Sequence, residues 1–258
     1  MRRIVVKVGS NVLAREDGTL DVTRMSAIVD QIIKLKRNGM EVILVTSGAV
    51  ACGRSMLSSA ASDLDSVEQR QLFSAVGQVR LMDLYFTLFK DYGVSVGQVL
   101  TMKEHFQPGR EYTNQRSCME VMLNSGVVPI VNENDTVCVT ELMFTDNDEL
   151  SGLVASMMGA DTLVILSNID GIYDGSPALP ESRVIERVQP GDDLSAYIGA
   201  AKSGLGRGGM SSKYNIAQKT AAEGIRVVIA NGKRDGILTD VLLSDCPPVH
   251  TEFIPAAR

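Results

Sequence analysis

Hydrophobic residues recur along the chain as short runs separated by longer amphipathic segments. The short runs are rich in β-branched residues, as in strands that are buried on both faces of a parallel sheet. They lie at residues 4–8, 41–45, 94–100, 128–131, 161–167 and 225–230. Between them, apolar residues are spaced three and four apart, which is the spacing of one helix face. This order predicts an α/β fold, a mostly parallel open sheet sandwiched by helices in three α/β/α layers.

The longest stretch of helical spacing runs from residue 67 to 89. Ala75 and Gly77 within it are small, which predicts close packing against another helix of this chain or of a second subunit. Residues 102–110 are expected to form a loop. They contain His105, and a lone loop histidine is more often solvent-facing than catalytic.

The chain shows no internal repeat and no low-complexity tract, and its composition changes little along its length. We therefore predict a single domain over residues 1–258, with an N-terminal lobe of about 1–160 and a C-terminal lobe of about 161–258. Within the second lobe, residues 183–188 are expected to form a strand of a small hairpin. The last residues are expected to form a short edge strand and a tail.

Two polar clusters follow each other closely in the middle of the chain. Residues 132–135, Asn-Glu-Asn-Asp, come directly after a buried strand, and residues 145–148, Thr-Asp-Asn-Asp, open a predicted helix. In open α/β sheets, ligands bind beyond the carboxyl ends of the strands. A capped helix start also explains the second cluster, because acidic residues in a first turn suit the helix dipole. It does not explain the first cluster, so we expect both clusters to converge on one polar ligand.

Three other strand ends carry groups that could face a polar ligand. Lys7 lies in the first apolar strand beside Gly9, where its ammonium must be paired or solvated. It could bind an anion, or it could extend its charged end to water. Residues 46–48, Thr-Ser-Gly, form a strand-to-helix turn whose free N–H groups also suit an anion. Residues 167–168, Ser-Asn, follow another strand in the same way.

A glycine-rich segment opens the last long helix. Residues 203–213 read Ser-Gly-Leu-Gly-Arg-Gly-Gly-Met-Ser-Ser-Lys. Such a loop before a helix suits phosphate. Lys213 in the first turn opposes the helix dipole, which is better explained if an anion binds there. The spacing matches neither a Walker A motif nor a dinucleotide fingerprint, and a flexible linker is the alternative.

Composition narrows the classes of function. The formal net charge is −6, from 25 basic and 31 acidic residues, which argues against a dominant nucleic-acid surface. The four cysteines are scattered without metal-ligand or disulfide spacing, and Cys52 and Cys138 are expected to be small buried residues. No apolar run approaches membrane-spanning length and no signal peptide is indicated. A cytoplasmic protein without a membrane partner is expected.

Five separated stretches together resemble the glutamate 5-kinases, which belong to the amino acid kinase family. Each stretch alone is weak, but they occur in the right order across nearly the whole kinase domain. The five stretches are VVKVGSNVL, TSGAVACG, AVGQ, NENDTV with FTDNDELSGLVA, and SGLGRGGMSSK.

The resemblance implies ATP-dependent phosphorylation of the γ-carboxylate of L-glutamate, the first step of proline synthesis. It implies that the N-terminal lobe binds the acceptor and the C-terminal lobe binds ATP. Mg²⁺ would be held by the ATP phosphates, with no direct metal ligand from the protein. A homo-oligomer and hand-over of the labile product to glutamyl phosphate reductase are also expected. Many members carry a C-terminal PUA-type domain, which this chain is expected to lack.

The resemblance also assigns site residues. Lys7 and Lys213 would be catalytic, and Asp148 would match the acid that orients them. The glutamate site would comprise Ser47, Gly48, Asn132, Asp135, Asp146 and Asn147. The nucleotide site would comprise Lys7, Gly9, Ser167, Asn168, Arg207, Gly208, Gly209, Met210, Ser211, Ser212 and Lys213.

Two departures fall in the nucleotide half. The family usually has Thr-Asp where this chain has Ser167-Asn168, and Thr where it has Arg207. Two alternatives stay open. One is another kinase of the same fold, acting on acetylglutamate, carbamate, aspartate or a nucleoside monophosphate. The other is an amino-acid sensor that has lost the chemistry.

Overall fold

The computed structural model describes residues 2–57, 63–138, 146–198 and 209–257. Strands and helices alternate through most of the chain, as the hydrophobic pattern predicts. In chain order they are β1 (Arg3–Val8), α1 (Ser10–Leu13), α2 (Val22–Arg37), β2 (Glu41–Thr46), α3 (Ala49–Leu57), α4 (Ser66–Lys90), β3 (Val96–Thr101), α5 (Arg110–Asn124), β4 (Val128–Glu133), α6 (Asn147–Met157), β5 (Thr162–Ser167), β6 (Arg187–Val188), α7 (Met210–Ala222), β7 (Arg226–Asn231), α8 (Ile237–Leu243) and β8 (Thr251–Phe253).

The strands form one sheet in the order β3-β4-β2-β1-β5-β7-β8-β6. Neighbouring strands are parallel except β7 and β8, which are antiparallel. β1 pairs with β2 on one side and with β5 on the other, so the order reverses direction at β1. In open α/β sheets such a reversal opens a crevice beyond the carboxyl ends of the strands.

Each face of the sheet is covered by its own apolar core, which confirms the three-layer architecture. Ile4, Val6 and Val8 of β1 pack in the core that includes α2, α4 and α8, whereas Val5 packs in the core that includes α5, α6 and α7. Because side chains alternate along a strand, Lys7 has the same direction as Val5. It therefore points to the layer that contains α6 and α7.

The sequence places the remaining short elements less accurately. β6 pairs in parallel with β8, so it is not a hairpin strand, although an isolated antiparallel bridge joins Tyr173 and Val184. β8 lies between β7 and β6 and is not an edge strand. The predicted loop at 102–110 contains a 3-10 helix. β6 and β8 have only two and three residues, which is too short a hydrophobic pattern to indicate their partner strands.

His105 within that 3-10 helix is half-buried, with Nδ1 3.3 Å from Thr101 Oγ1. The expectation that it faces solvent is therefore only partly met. Cys52 and Cys138 are buried as predicted, and all four cysteines are free thiols. Within the described ranges, no helix is both long enough and apolar enough to cross a membrane.

The close helix contact predicted at Gly77 is made inside the chain, between α3 and α4. A Cβ atom added to Gly77 would lie 1.9 Å from the carbonyl oxygen of Ala49, and one added to Gly53 would lie 1.9 Å from that of Phe73. Both distances are far below van der Waals contact with rigid backbone. Ala75, the other small residue, is exposed. The two glycines thus allow α3 to lie directly against α4, which carries residues toward the crevice.

Replacing Gly77 with alanine should lower the free energy of unfolding by about 1–3 kcal/mol, because the methyl group must displace backbone. The sign of this change in unfolding free energy is informative. The same replacement at an open helix site would stabilise the protein by roughly 0.5–1 kcal/mol. Chemical unfolding of the variant would measure the difference. Ala75→Gly on the exposed face of α4 gives the matched propensity control. A Gly77→Ala variant more stable than the parent would contradict the close packing.

Candidate functional site

A cleft of about 1310 Å³ lies at the carboxyl ends of β1, β2, β4 and β5. Residues that follow each of these strands line it, as the reversal of strand order at β1 requires. Polar groups dominate the end next to β2 and β4. The other end, beyond β5, includes apolar side chains. The cleft therefore offers two chemically different compartments that meet at β1.

At the meeting point, Asp148 is bound by two lysines. Lys7 Nζ lies 2.6 Å from Asp148 Oδ1, and Lys213 Nζ lies 2.9 Å from Asp148 Oδ2. Asp148 is fully buried, and Lys7 and Lys213 are only 5% and 8% exposed. The three groups come from β1, the first turn of α6 and the first turn of α7. The topology therefore joins residues that are more than 200 positions apart in the chain.

This cluster carries a net charge of +1, because two ammonium groups share one carboxylate. Burial alone would raise the pKa of the Asp148 carboxyl. The ammonium groups of Lys7 and Lys213 outweigh that effect and hold this pKa below its usual value of 3.8. Asp148 is therefore a carboxylate at neutral pH and a poor proton acceptor. A buried excess of positive charge is unfavourable by itself, so the cluster suits an anion.

Asp146 fixes the start of α6 and so the position of Asp148. Asp146 Oδ1 accepts hydrogen bonds from the backbone N–H groups of Asp148 and Glu149, at 2.8 and 3.0 Å. The capped helix start considered from the sequence is thus present. Asp146 Oδ2, however, is buried and has no hydrogen-bond partner among the described residues, and Asp146 lines the cleft. The helix cap therefore accounts for only one of the two carboxylate oxygens.

The two polar clusters of the sequence do converge. Asn147 Nδ2 lies within hydrogen-bond distance of Asn132 Oδ1 at 3.0 Å, Ser47 Oγ at 2.9 Å and the carbonyl oxygen of Thr46 at 2.6 Å. Gly48, which follows Ser47 in the chain, has φ +107°, a conformation that side-chain-bearing residues rarely adopt. Together these contacts tie the ends of β2 and β4 to the start of α6.

Asp135 also lines this polar compartment and is bound by Arg70 of α4. Arg70 Nε donates to Asp135 Oδ1 at 2.8 Å, and Arg70 Nη2 donates to Glu133 Oε2 at 2.9 Å and also to Asp135 Oδ1. Asp135 and Glu133 are 8% and 6% exposed. All three residues line the cleft.

The compartment beyond β5 contains the predicted nucleotide residues only in part. Gly9, Ser167, Asn168, Gly209, Met210 and Lys213 line the cleft, whereas Ser211 and Ser212 are not among its lining residues. Arg207 and Gly208 lie outside the described residues. Its apolar wall comprises Ile169, Ile172, Tyr173, Pro177, Tyr197, Ile198 and Met210.

Gly9 is closely surrounded at the base of the cleft. Its backbone N–H donates to the carbonyl oxygen of Leu166 at 3.4 Å, and a Cβ at this position would lie 3.3 Å from Lys7 Nζ. A side chain here would therefore crowd the ammonium that binds Asp148.

Sequence reasoning missed the contribution of α4 to the site. Arg70 contacts Asp135, and Gln78 Oε1 accepts a hydrogen bond from Asn132 Nδ2 at 3.0 Å. Their separation of eight residues places them on one face of the helix. A polar pair on a largely apolar helical face indicates a polar contact with another part of the chain. It does not indicate which loop makes that contact.

The model of the amino acid kinase family matches residues 2–231. A glutamate 5-kinase of Bacteroides thetaiotaomicron is 64% identical over 99% of this chain and 71% of the relative. A glutamate 5-kinase of Chlorobaculum tepidum is 49% identical over 93% of this chain and 66% of the relative. The chain thus spans about two thirds of the length of these relatives.

Solved structures agree on the fold. A carbamate kinase from Giardia lamblia bound to AMP-PNP superposes with a TM-score of 0.69, at 14% identity over 99% of both chains. A UMP kinase from Ureaplasma parvum gives a TM-score of 0.66, at 16% identity over 98% of both chains. At such low identity these likenesses concern architecture alone. The matched family model and the identity to curated relatives over nearly the whole chain establish that it belongs to the amino acid kinase family and, within that family, to the glutamate 5-kinases.

Proposed function

We infer that the protein is an ATP-dependent kinase that phosphorylates the γ-carboxylate of L-glutamate, the first step of proline biosynthesis. The observation that carries this inference is the buried Lys7–Asp148–Lys213 cluster, which lies where the polar compartment meets the partly apolar one. A phosphoryl group moving between two anions needs positive charge at that point. Family membership supports the choice of acceptor and donor.

We assign the acceptor to the polar compartment. The γ-carboxylate would face Ser47, Gly48 and Asn147, next to the lysines. The α-ammonium, at the other end of the acceptor molecule, would meet the carboxylates of Asp135 and Asp146. Asn132 would hold Asn147 in place through the hydrogen bond between their side chains. Carboxylates at this end favour an acceptor with an amino group over a nucleoside monophosphate, whose dianionic phosphate they would repel.

We assign ATP to the compartment beyond β5. Its phosphates would lie near Lys7, Gly9 and Lys213, at the N-terminus of α7, where free N–H groups favour an anion. Ser167, Asn168 and the segment from Arg207 to Ser212 belong to the same proposal. The apolar wall that includes Ile172 and Tyr173 offers a surface for the base.

The chemistry requires charge neutralisation and positioning but no general base. The acceptor carboxylate is already ionised at neutral pH, so no proton has to be removed. The barrier includes repulsion between that carboxylate and the donor phosphates. Lys7 and Lys213 would approach the transferring group from two sides and stabilise its equatorial oxygens. Asp148 would hold both ammonium groups before substrate arrives, so that little reorganisation is needed at the moment of transfer.

Kinases that act with ATP usually require a divalent metal, and we propose Mg²⁺ here. Within the described residues, no group of three or more His, Cys, Asp or Glu side chains could hold a metal ion. The carboxylate at the meeting point already binds two ammonium groups. In this proposal the ATP phosphates would hold Mg²⁺, with no direct ligand from the protein. When bound, the ion would neutralise phosphate charge and orient the donor.

Replacing Asp135 or Asn147 with alanine should act mainly on the KM for L-glutamate. Each variant removes a group from the acceptor compartment and leaves the lysine cluster in place. The loss of one hydrogen bond to a charged group corresponds to roughly a 10- to 100-fold rise in KM. Steady-state kinetics with each substrate varied would measure it. A raised KM for ATP with an unchanged KM for glutamate would mean that the two compartments are assigned the wrong way round.

The acceptor itself can be tested by ADP release from Mg·ATP with purified protein. L-glutamate, acetylglutamate, aspartate and UMP would be compared in parallel. Release that depends on L-glutamate would support the proposal, and release with another acceptor would replace it by that acceptor. ATP binding without release in all four would favour the amino-acid sensor. The intact Lys7–Asp148–Lys213 cluster argues against a sensor, because all three groups proposed for transfer are present and paired.

We further propose a cytoplasmic homo-oligomer that hands its labile acyl phosphate to glutamyl phosphate reductase. Four free thiols fit a reducing compartment. Val79 and Phe86 on α4 are 73% and 54% exposed, which fits contact with a second copy.

A further inference from the structure

Arg70 reaches from α4 into the acceptor compartment, although it is remote in sequence from the strand ends that form the compartment. Its side chain is 18% exposed and lines the cleft. Arg15 and Arg54 also line the cleft. Of these three arginines, it is Arg70 whose guanidinium donates hydrogen bonds to Asp135 and to Glu133. The guanidinium is therefore part of the wall at the end assigned to the amino-acid head group.

The contacts of Arg70 leave part of its hydrogen-bonding capacity unused. An arginine has five N–H donors in a planar fork. Nε and Nη2 are engaged, whereas Nη1 makes no hydrogen bond within the described residues. Both contacts with Asp135 are made to Oδ1. The pair thus presents a positive group directly beside a negative group at the same end of the cleft.

An α-amino acid carries the complementary arrangement, an ammonium and a carboxylate on one carbon atom. If Asp135 receives the ammonium, the adjacent α-carboxylate comes close to the buried carboxylates of Glu133 and Asp135. It would be repelled there unless a cation faced it, and Arg70 is bound to both of those carboxylates. Guanidinium forks bind carboxylates in a bidentate way.

We propose that Arg70 is a specificity-determining residue that binds the α-carboxylate of the acceptor while Asp135 receives its ammonium. The inference rests on the proposed function, since it concerns the acceptor compartment of the same cleft. It explains how the site would distinguish an amino acid from a simple carboxylate or a simple amine. Arg70 and Asp135 together would recognise the carboxylate and the ammonium of the head group.

The test compares L-glutamate with two analogues that each lack one charge of the head group. 4-Aminobutyrate lacks the α-carboxylate, and glutarate lacks the ammonium. The KM for L-glutamate and the Ki of each analogue against L-glutamate would be measured for the wild type, Arg70→Gln and Arg70→Lys. Arg80→Gln on the same helix is the matched control, because Arg80 is exposed and pairs only with Asp83 among the described residues.

Arg70→Gln should raise the KM for L-glutamate by roughly 10- to 100-fold, the scale of a lost charge-assisted contact. The Ki of 4-aminobutyrate should stay unchanged or fall, because this ligand has no carboxylate for Arg70 and its ammonium no longer competes with the guanidinium for Asp135. The ratio of Ki for 4-aminobutyrate to KM for L-glutamate should therefore drop at least tenfold. Arg70→Lys keeps the charge without the fork, so its ratio should lie between those of the wild type and Arg70→Gln. Arg80→Gln should give the wild-type ratio.

An unchanged ratio would overturn the inference. In that case Arg70 only holds Asp135 in place, and its loss weakens both ammonium-bearing ligands alike. Thermal unfolding and ATP binding of each variant show whether it is folded. If Arg70→Gln does not fold, the ratio measured for Arg70→Lys decides the test. Turnover of L-glutamate by the wild type and by Arg80→Gln is read in the same assay. Its absence would contradict the proposed function as well, whereas normal turnover with an unchanged ratio contradicts the role of Arg70 alone.

Discussion

Replacing Lys7 or Lys213 with alanine should lower kcat by about 10²–10³ or more, which is the scale of removing a preorganised donor to a transition state. Each variant removes one of the two cations that face the transferring phosphoryl group. The remaining lysine still pairs with Asp148, so the cluster becomes neutral and the fold should persist. Steady-state kinetics at saturating glutamate and ATP would measure the loss.

Lys219→Ala is the matched control for this experiment, because Lys219 is exposed on α7, the helix that carries Lys213. It should leave kcat unchanged. Thermal unfolding of the Lys7 and Lys213 variants would separate lost chemistry from lost structure. Near-normal kcat in both folded variants would contradict the mechanism, because the mechanism assigns the stabilisation of the transferring group to these two lysines.

Replacing Asp148 with asparagine should reduce both activity and stability. The change leaves two ammonium groups buried, at 5% and 8% exposure, without their shared counterion. Removing one partner of a buried ion pair costs about 3–5 kcal/mol of unfolding free energy. The loss of kcat should be at least as large as in either lysine variant, because both cations lose their position.

The stability effect has a defined pH dependence. The folded-state pKa of Asp148 is held below 3.8, so its contribution is fully present above that value. It is lost as the pH falls through the lower folded-state pKa. The difference in unfolding free energy between wild type and Asp148→Asn should therefore persist at pH 5 and shrink only below about pH 4.

Asp83→Asn provides the comparison, because Asp83 forms an exposed ion pair with Arg80, which is worth about 0–1 kcal/mol. Chemical unfolding across the pH range would measure both variants. An Asp148→Asn variant as stable as the wild type at pH 7 would mean that the carboxylate does not hold the two lysines.

The central part of the site could be predicted from local patterns. Lys7 stands out as a charge in an apolar strand, and Lys213 stands out as a cation in the first turn of a helix. Alternation along β1 then directs Lys7 to the layer of α6 and α7, where Lys213 and Asp148 lie. The convergence of the two polar clusters followed from their positions at a strand end and a helix start. Each of these signals is carried by residues close together in the sequence, whereas the meeting of Lys7, Asp148 and Lys213 depends on the topology.

The contribution of α4 could not be predicted in the same way. The contacts of Arg70 with Asp135 and of Gln78 with Asn132 depend on how α4 packs on the sheet and on α3. That packing is decided by Gly53 and Gly77, whose effect appears only once both helices are placed. The position of β8 between β7 and β6 is similarly non-local, because three residues do not specify a partner strand.

The most direct test of the central claim is to identify the phosphorylated group. Purified protein would be incubated with Mg·ATP, L-glutamate and hydroxylamine, which converts an acyl phosphate to a hydroxamate. Mass spectrometry would identify the product and the carboxyl group that carries it. The account predicts γ-glutamyl hydroxamate formed in step with ADP and absent without L-glutamate. Glutamate-dependent ADP release with no hydroxamate, or with hydroxamate at the α-carboxyl, would contradict it.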